Sequence, residues 1–167
     1  PDIIHKSEEG AVALGINSAD DLTLAWQDMA TRLGDRLAGC VVSEMASGEA
    51  EAILGIQNDA QFGPMVLVGL GGVLAEVLDD VILLPCPVHP DRVKERLQSL
   101  KLWPVLEGVR GRPALDINAL ADAAARLSWL AMDAGSNLQE LDINPLFLRR
   151  TGKGTVAVDA RARVDGS

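Results

Sequence analysis

Within the stretch ELDINPLFLRRTGKGTVAVDAR, Glu140 to Arg161, strand periodicity brings three oxygen-bearing side chains together: Asp142, Asn144 and Asp159. Side chains alternate across a strand, so Glu140, Asp142 and Asn144 share one face while Leu141 and Ile143 take the other. A turn centred on Thr151-Gly152 makes Asp159 the cross-strand partner of Asn144, with Cβ atoms about 4.5 to 5.5 Å apart. A slip of one residue would break that pairing. Carboxylate and amide oxygens converging from two rigid strands suit a hard divalent cation, and Mg²⁺ typically takes one or two carboxylates plus nucleotide phosphate oxygens. The competing reading is a hairpin whose polar positions are simply solvated.

Two other stretches carry groups suited to anions. GLGG, Gly69 to Gly72, follows an apolar run, so its glycines, Gly71 and Gly72 among them, can let backbone N–H groups approach anionic oxygens; a tight turn uses glycine equally well. In LEGVRG, Arg110 lies between Gly108 and Gly111, a setting that lets a guanidinium fork reach phosphate from a loop or merely decorate a turn.

The chain that must position these groups has 167 residues, 48% hydrophobic and 23% charged, enough for one compact domain or two small lobes around a packed core. Its net charge of −9 and lack of a basic stripe argue against nucleic acid. Cys40 and Cys86 form no CxxC and read as reduced thiols, which fits a cytoplasmic setting. No apolar run is long enough to span a bilayer, and the opening PDIIHKSEEG has neither a basic leader nor an apolar core. The absence of an initiating Met suggests a piece of something longer.

Along the chain, AVALGI (Ala11 to Ile16) reads as a strand. A helix follows in which Ser18 caps with Asp21 three residues on; Leu22, Ala25, Trp26, Met29 and Leu33 form its face, and Gly34 stops it. GCVVSEM and AEAILGIQ read as an antiparallel pair, and PMVLVGL as a buried strand. DVILLPCPV is another strand, HPDRVKERLQSL a helix with Pro90 in its first turn, and WPVLEGVRGRP a loop. A long helix, Leu115 to Ala134, sets Leu120, Ala124, Leu127 and Ala131 on one face before the final hairpin. Strands and helices do not alternate regularly, so the fold class is α+β or mixed α/β.

Taken in order, PDIIHKS, FGPMVLVGLGGVLAEVLDDV, LEGVRG and ELDINPL with VAVDAR resemble the ATP-grasp domain of nucleoside-diphosphate-forming (ADP-forming) acyl-CoA synthetases, over nearly the whole chain. The resemblance implies a partial ATP-grasp fold over residues 1–167, a single domain fragment whose first lobe lies outside the chain. It implies ATP or ADP with Mg²⁺ as cofactors, and a partner domain or subunit that binds CoA, carries a phosphorylatable His and handles the carboxylic acid. An oligomer is compatible with it. Its activity would be phosphoryl transfer during interconversion of acyl-CoA, ADP and phosphate with acid, CoA and ATP, driven by positioning and charge neutralisation.

Residue by residue, the resemblance implies that Asn144 and Asp159 are Mg²⁺ positions, with Asp142 as a secondary or water-mediated ligand. His5 and Lys6 would sit at the phosphates, Lys6 as a charge and His5 as a candidate phosphoryl acceptor, since a neutral imidazole is a competent nucleophile. Backbone near Glu44 and Met45 would read adenine, Glu51 would face the same cleft, Glu76 would help set the site, and Arg110 would contact phosphate. Two departures stand out: Gly10-Ala11 replaces the family's Gly-Gly, and VILLPCP carries Leu84 or its neighbour where the family places a phosphate-facing Arg. A site short of one positive charge keeps a second class open: a regulatory, non-catalytic domain of the same fold, as in chains fused to a protein acetyltransferase.

Overall fold

The computed structural model describes residues 10–71, 80–109 and 111–165. It divides into two compact units, Pro1–Met45 and Ala46–Ser167.

The first unit is built on helix α1, Ala19–Leu33. Ser18 Oγ accepts a hydrogen bond from the Asp21 amide at 3.1 Å, and Asp21 Oδ2 accepts one from the Asn17 amide at 3.1 Å, so the expected cap forms reciprocally. The Asn17 amide above all, with the Ser18 side chain after it, holds the Asp21 carboxyl below its ordinary value. Gly34 ends the helix at φ +52, a conformation that favours glycine. Of the expected apolar face only Met29 and Leu33 are buried, while Leu22 and Trp26 stay exposed. Neither Ala11–Ile16 nor Gly39–Met45 is a strand. Alternation in the sequence marks a ribbon with one apolar side, but a strand also needs a hydrogen-bonding neighbour, and among the described residues these segments have none.

The second unit explains why GCVVSEM does not pair with AEAILGIQ: both edges of the latter are taken. Strand β1, Ala50–Asp59, lies between β2, Gly63–Leu70, and β4, Leu138–Leu148, antiparallel to each. Strand β3, Val81–Pro85, extends the sheet beyond β2. The short strands β5, Thr155–Ala157, and β6, Ala160–Val164, share the outer edge of β4, which gives the order β3-β2-β1-β4-β5 with β6 also on β4. Helices α2, Pro90–Leu97, and α4, Ile117–Ala134, pack on one side of this sheet. The expected loop after α2 contains a short helix, α3, Trp103–Glu107, seated by fully buried Leu106.

Apolar alternation decides which strand face meets the helices. Ala52, Leu54 and Ile56 of β1, Val66 and Val68 of β2 and Ile82 and Leu84 of β3 form one core with Leu120, Ala124, Leu127 and Ala131 of α4, the face its sequence periodicity gave. Leu84 is 4% exposed and stands opposite Val66, whereas Leu83 is 48% exposed. Of the two places open to the family's phosphate-facing Arg, Leu84 or its neighbour, Leu84 is thereby ruled out, because the pleat points it into the helices and Leu83 away from them.

Candidate functional site

Strand β4 carries an extra residue relative to β1. Ala52 pairs with Leu146, but Leu54 pairs with Ile143, so the register shifts at Asn144-Pro145. Such a bulge lets one strand change which parity faces the core. Leu141 and Ile143 pack towards the helices before it, and Leu146 and Leu148 do so after it. On the outer edge the register runs unbroken from Glu140 to Leu148, past the bulge: Asn144 N donates to Asp159 O at 3.2 Å and Val158 N donates to Pro145 O at 3.1 Å. The pairing of Asn144 with Asp159 therefore has the geometry that a turn at Thr151-Gly152 demands.

The turn is held by a carboxylate the sequence analysis passed over. Asp116, 6% exposed, caps α4 by accepting from the Ala119 amide at 3.1 Å through Oδ1, and its Oδ2 accepts from the Gly154 amide at 2.9 Å. Its own amide donates to Arg149 O at 2.8 Å. One side chain thus ties the start of the longest helix to the hairpin turn, and the Gly154 bond above all holds its carboxyl below the ordinary value. The signal available in the sequence was an Asp just before a helical run. Buried Ser128 ties α4 to the segment before α2 and not to the hairpin: its hydroxyl donates to Ala125 O at 2.6 Å and accepts from the Val88 amide at 3.0 Å.

Fixed in this way, the hairpin forms a polar cavity of about 190 Å³ lined by Asp142, Asn144, Asp159, Ala160 and Arg161. The three oxygen-bearing side chains singled out from spacing are brought together. Burial pushes the Asp142 carboxyl above its ordinary value; the charge of Glu140 pushes the same way, Arg161 opposes them, and Asp159 adds a smaller push upward. Among the described residues no group of three or more His, Cys, Asp and Glu is arranged to hold a metal on its own. The donor set here, two carboxylates and an amide, is all oxygen, which fits a hard divalent cation completing its shell from a ligand or water.

The other candidates are placed differently. Glu51 is exposed on β1 and pairs with Phe147, four residues along from Gly55, the partner of Asp142, or roughly 13 Å at strand rise. The Gly71 amide donates to Glu51 O at 2.6 Å, and a Cβ on Gly71 would stand 3.1 Å from Glu51 Cβ, so glycine suits this close backbone approach. Glu44 and Met45 are exposed at the end of the first unit. His5, Lys6, Gly72, Glu76 and Arg110 lie outside the described residues. Gly108 has φ +90, and a Cβ there would meet Arg112 O at 2.6 Å, so its own position calls for glycine. Arg161, which lines the cavity, was assigned no role from sequence; its signal was its register opposite Asp142. Among the described residues no helix is long and apolar enough to cross a membrane.

A model of the ATP-grasp domain matches residues 1–164. The β subunit of ADP-forming acetate–CoA ligase II from Pyrococcus furiosus is 33% identical, over 99% of this chain and 72% of that protein. The ADP-forming acetate–CoA ligase of Methanocaldococcus jannaschii is 39% identical over 96% of this chain, which spans only 24% of that longer protein. Among solved structures, acetyl-coenzyme A synthetase 1 of Ca. Korarchaeum cryptofilum superposes with a TM-score of 0.87 at 30% identity, covering 98% of this chain and 72% of that one. It was solved with coenzyme A and Mg-AMPPCP, its phosphohistidine segment pointing towards the nucleotide-binding site. The chain belongs to the ATP-grasp domain family of ADP-forming acyl-CoA synthetases.

Proposed function

We propose that this domain binds ADP or ATP with Mg²⁺ and carries phosphoryl transfer between nucleotide and a phosphohistidine on a CoA-binding ligase part, as acyl-CoA, ADP and phosphate are interconverted with acid, CoA and ATP. The observation supporting it is the cavity in which Asp142, Asn144 and Asp159 converge, together with the Mg-nucleotide in a structural relative. Asn144 and Asp159 would hold the cation directly and Asp142 through water. The cation, when bound, would neutralise charge on the phosphate oxygens. The hairpin's part is to keep these donors preorganised: the ladder sets their spacing and the Asp116 junction anchors the turn. Lys6 and Arg110 would add positive charge at the phosphates, His5 is the candidate for relaying the phosphoryl group, Gly72 and Glu76 would complete the phosphate side, and Glu44, Met45 and Glu51 would serve the adenine side.

A second reading has one observation in its favour. β3 presents apolar Leu83 outward and buries Leu84, so it supplies no phosphate-facing cation; a regulatory domain that binds nucleotide without transferring phosphate, in a chain fused to an acetyltransferase, would tolerate that. Exposure of the full-length protein with its ligase part to γ-labelled ATP and Mg²⁺ separates the two. Acid-labile, base-stable label on a histidine, lost with chelator, is expected. Tight nucleotide binding without label would leave only the regulatory reading, and no nucleotide binding would overturn both.

A further inference from the structure

The acid cluster shares its cavity with a cation. Arg161 on β6 is the cross-strand partner of Asp142, so both side chains leave the sheet on the same face. Its Nε stands 3.8 Å from Asp159 Oδ2. That separation lies within ion-pair range but beyond a hydrogen bond. The neighbouring pair on the same ladder is tighter: Arg163 reaches Glu140 Oε2 at 3.5 Å, and the cavity is lined by Arg161 instead. The Arg161 side chain is 72% exposed, so pairing fixes its backbone and leaves its guanidinium room to swing.

Resting on the Mg-nucleotide reading above, we propose that Arg161 is a tethered stand-in cation: it neutralises Asp142 and Asp159 before a metal–nucleotide complex binds, then turns to the phosphate oxygens. Like charges crowded on one strand face repel, and a guanidinium held across the ladder is the nearest relief. A divalent cation on the same oxygens displaces it by charge density. A polyphosphate arriving with that cation offers the freed, planar guanidinium a bidentate partner that suits it better than a single carboxylate oxygen at 3.8 Å. Arg161 should therefore act with opposite sign on two ligands, competing with a free divalent cation and assisting the nucleotide. A merely structural cross-strand pair would shift both in the same direction or neither.

The test uses the full-length protein as wild type, Arg161→Gln and Asp159→Asn, each checked for folding by melting curve. Mn²⁺ binding alone is read by electron paramagnetic resonance, and binding of a non-hydrolysable ATP analogue at saturating Mg²⁺ by calorimetry. Arg161→Gln should tighten Mn²⁺ by about three-fold or more and weaken the analogue by about ten-fold, as loss of a charge-assisted fork would. Changes of the same sign, or none, while Asp159→Asn weakens both ligands, would overturn the role of Arg161 and leave the metal reading standing. If Asp159→Asn changes neither ligand, the metal reading falls and the stand-in role falls with it.

Discussion

Two aspartates that touch the same hairpin, one from the start of α4 and one from within β4, have opposite fates. Asp116, at the turn, accepts hydrogen bonds from two backbone amides and has its carboxyl held low. Asp142, midway along β4, is partly buried beside Glu140 and Asp159 and has its carboxyl pushed up. Asp116 is the less exposed residue, yet burial is the chief push on the Asp142 carboxyl, whereas at Asp116 the Gly154 hydrogen bond outweighs it. What differs is whether the protein satisfies the charge. A carboxylate whose oxygens meet backbone N–H groups holds structure together, whereas one left among like charges is poised for a cation from outside the fold.

The largest effect is expected on β3, where neighbouring residues take opposite faces, Leu84 buried and Leu83 exposed. Leu84→Arg would place an unpaired guanidinium among Val66, Ile82 and the helices, and should cost about 3 to 5 kcal/mol of stability, the scale of an uncompensated buried charge. Leu83→Arg, on the exposed face, should lie within about 0.5 kcal/mol of wild type. Chemical denaturation of both variants checks this; equal losses would mean that the helix-facing and open faces are wrongly distinguished.

Asp116→Ala comes next, at about 1 to 2 kcal/mol for the lost helix cap, with the Gly154 amide also left unpaired. Its pH signature has a definite sign. Because the folded carboxyl titrates below its ordinary value of 3.8, the stability it contributes is complete above that pH and is lost as pH falls through the lower folded value. Melting temperatures of wild type and Asp116→Asn should therefore converge below about pH 3.8. A difference that stays constant into acid would show that the charge is not what matters.

Asp142→Asn is the smallest change. It removes one of several like charges and keeps the strand, so stability should rise or stay within about 0.5 kcal/mol. A clear loss on melting would mean that Asp142 is a structural group like Asp116.

Much of this contrast was legible in the sequence. The hairpin register followed from one turn and period-two alternation, and the helical face of α4 from its apolar spacing, because both are local patterns that tertiary contacts reinforced. The convergence of Asp142, Asn144 and Asp159 followed for the same reason. What was not legible depended on partners far along the chain. The β1 segment pairs with β2 and β4 and not with GCVVSEM, since alternation names a strand but not its neighbour. The cap of α4 was invisible as a junction because Gly154, its second partner, lies 38 positions away. The burial of Leu84 against exposure of Leu83 turns on a single step of the pleat in VILLP, where every residue is apolar and periodicity carries no phase.

The most direct measurement is a calorimetric titration of Mg-ATP into the full-length protein as wild type, Asp159→Asn and Asp116→Asn, at a temperature where melting curves show all three folded. Asp159→Asn should weaken Mg-ATP by about ten-fold, near 1.4 kcal/mol, with its melting temperature unchanged. Asp116→Asn should melt earlier and lose much less Mg-ATP affinity than Asp159→Asn, because the strand ladder still sets the spacing of the donors. If Asp159→Asn binds like wild type, the cavity on the hairpin is not the metal–nucleotide site, and its carboxylates are a solvated strand face.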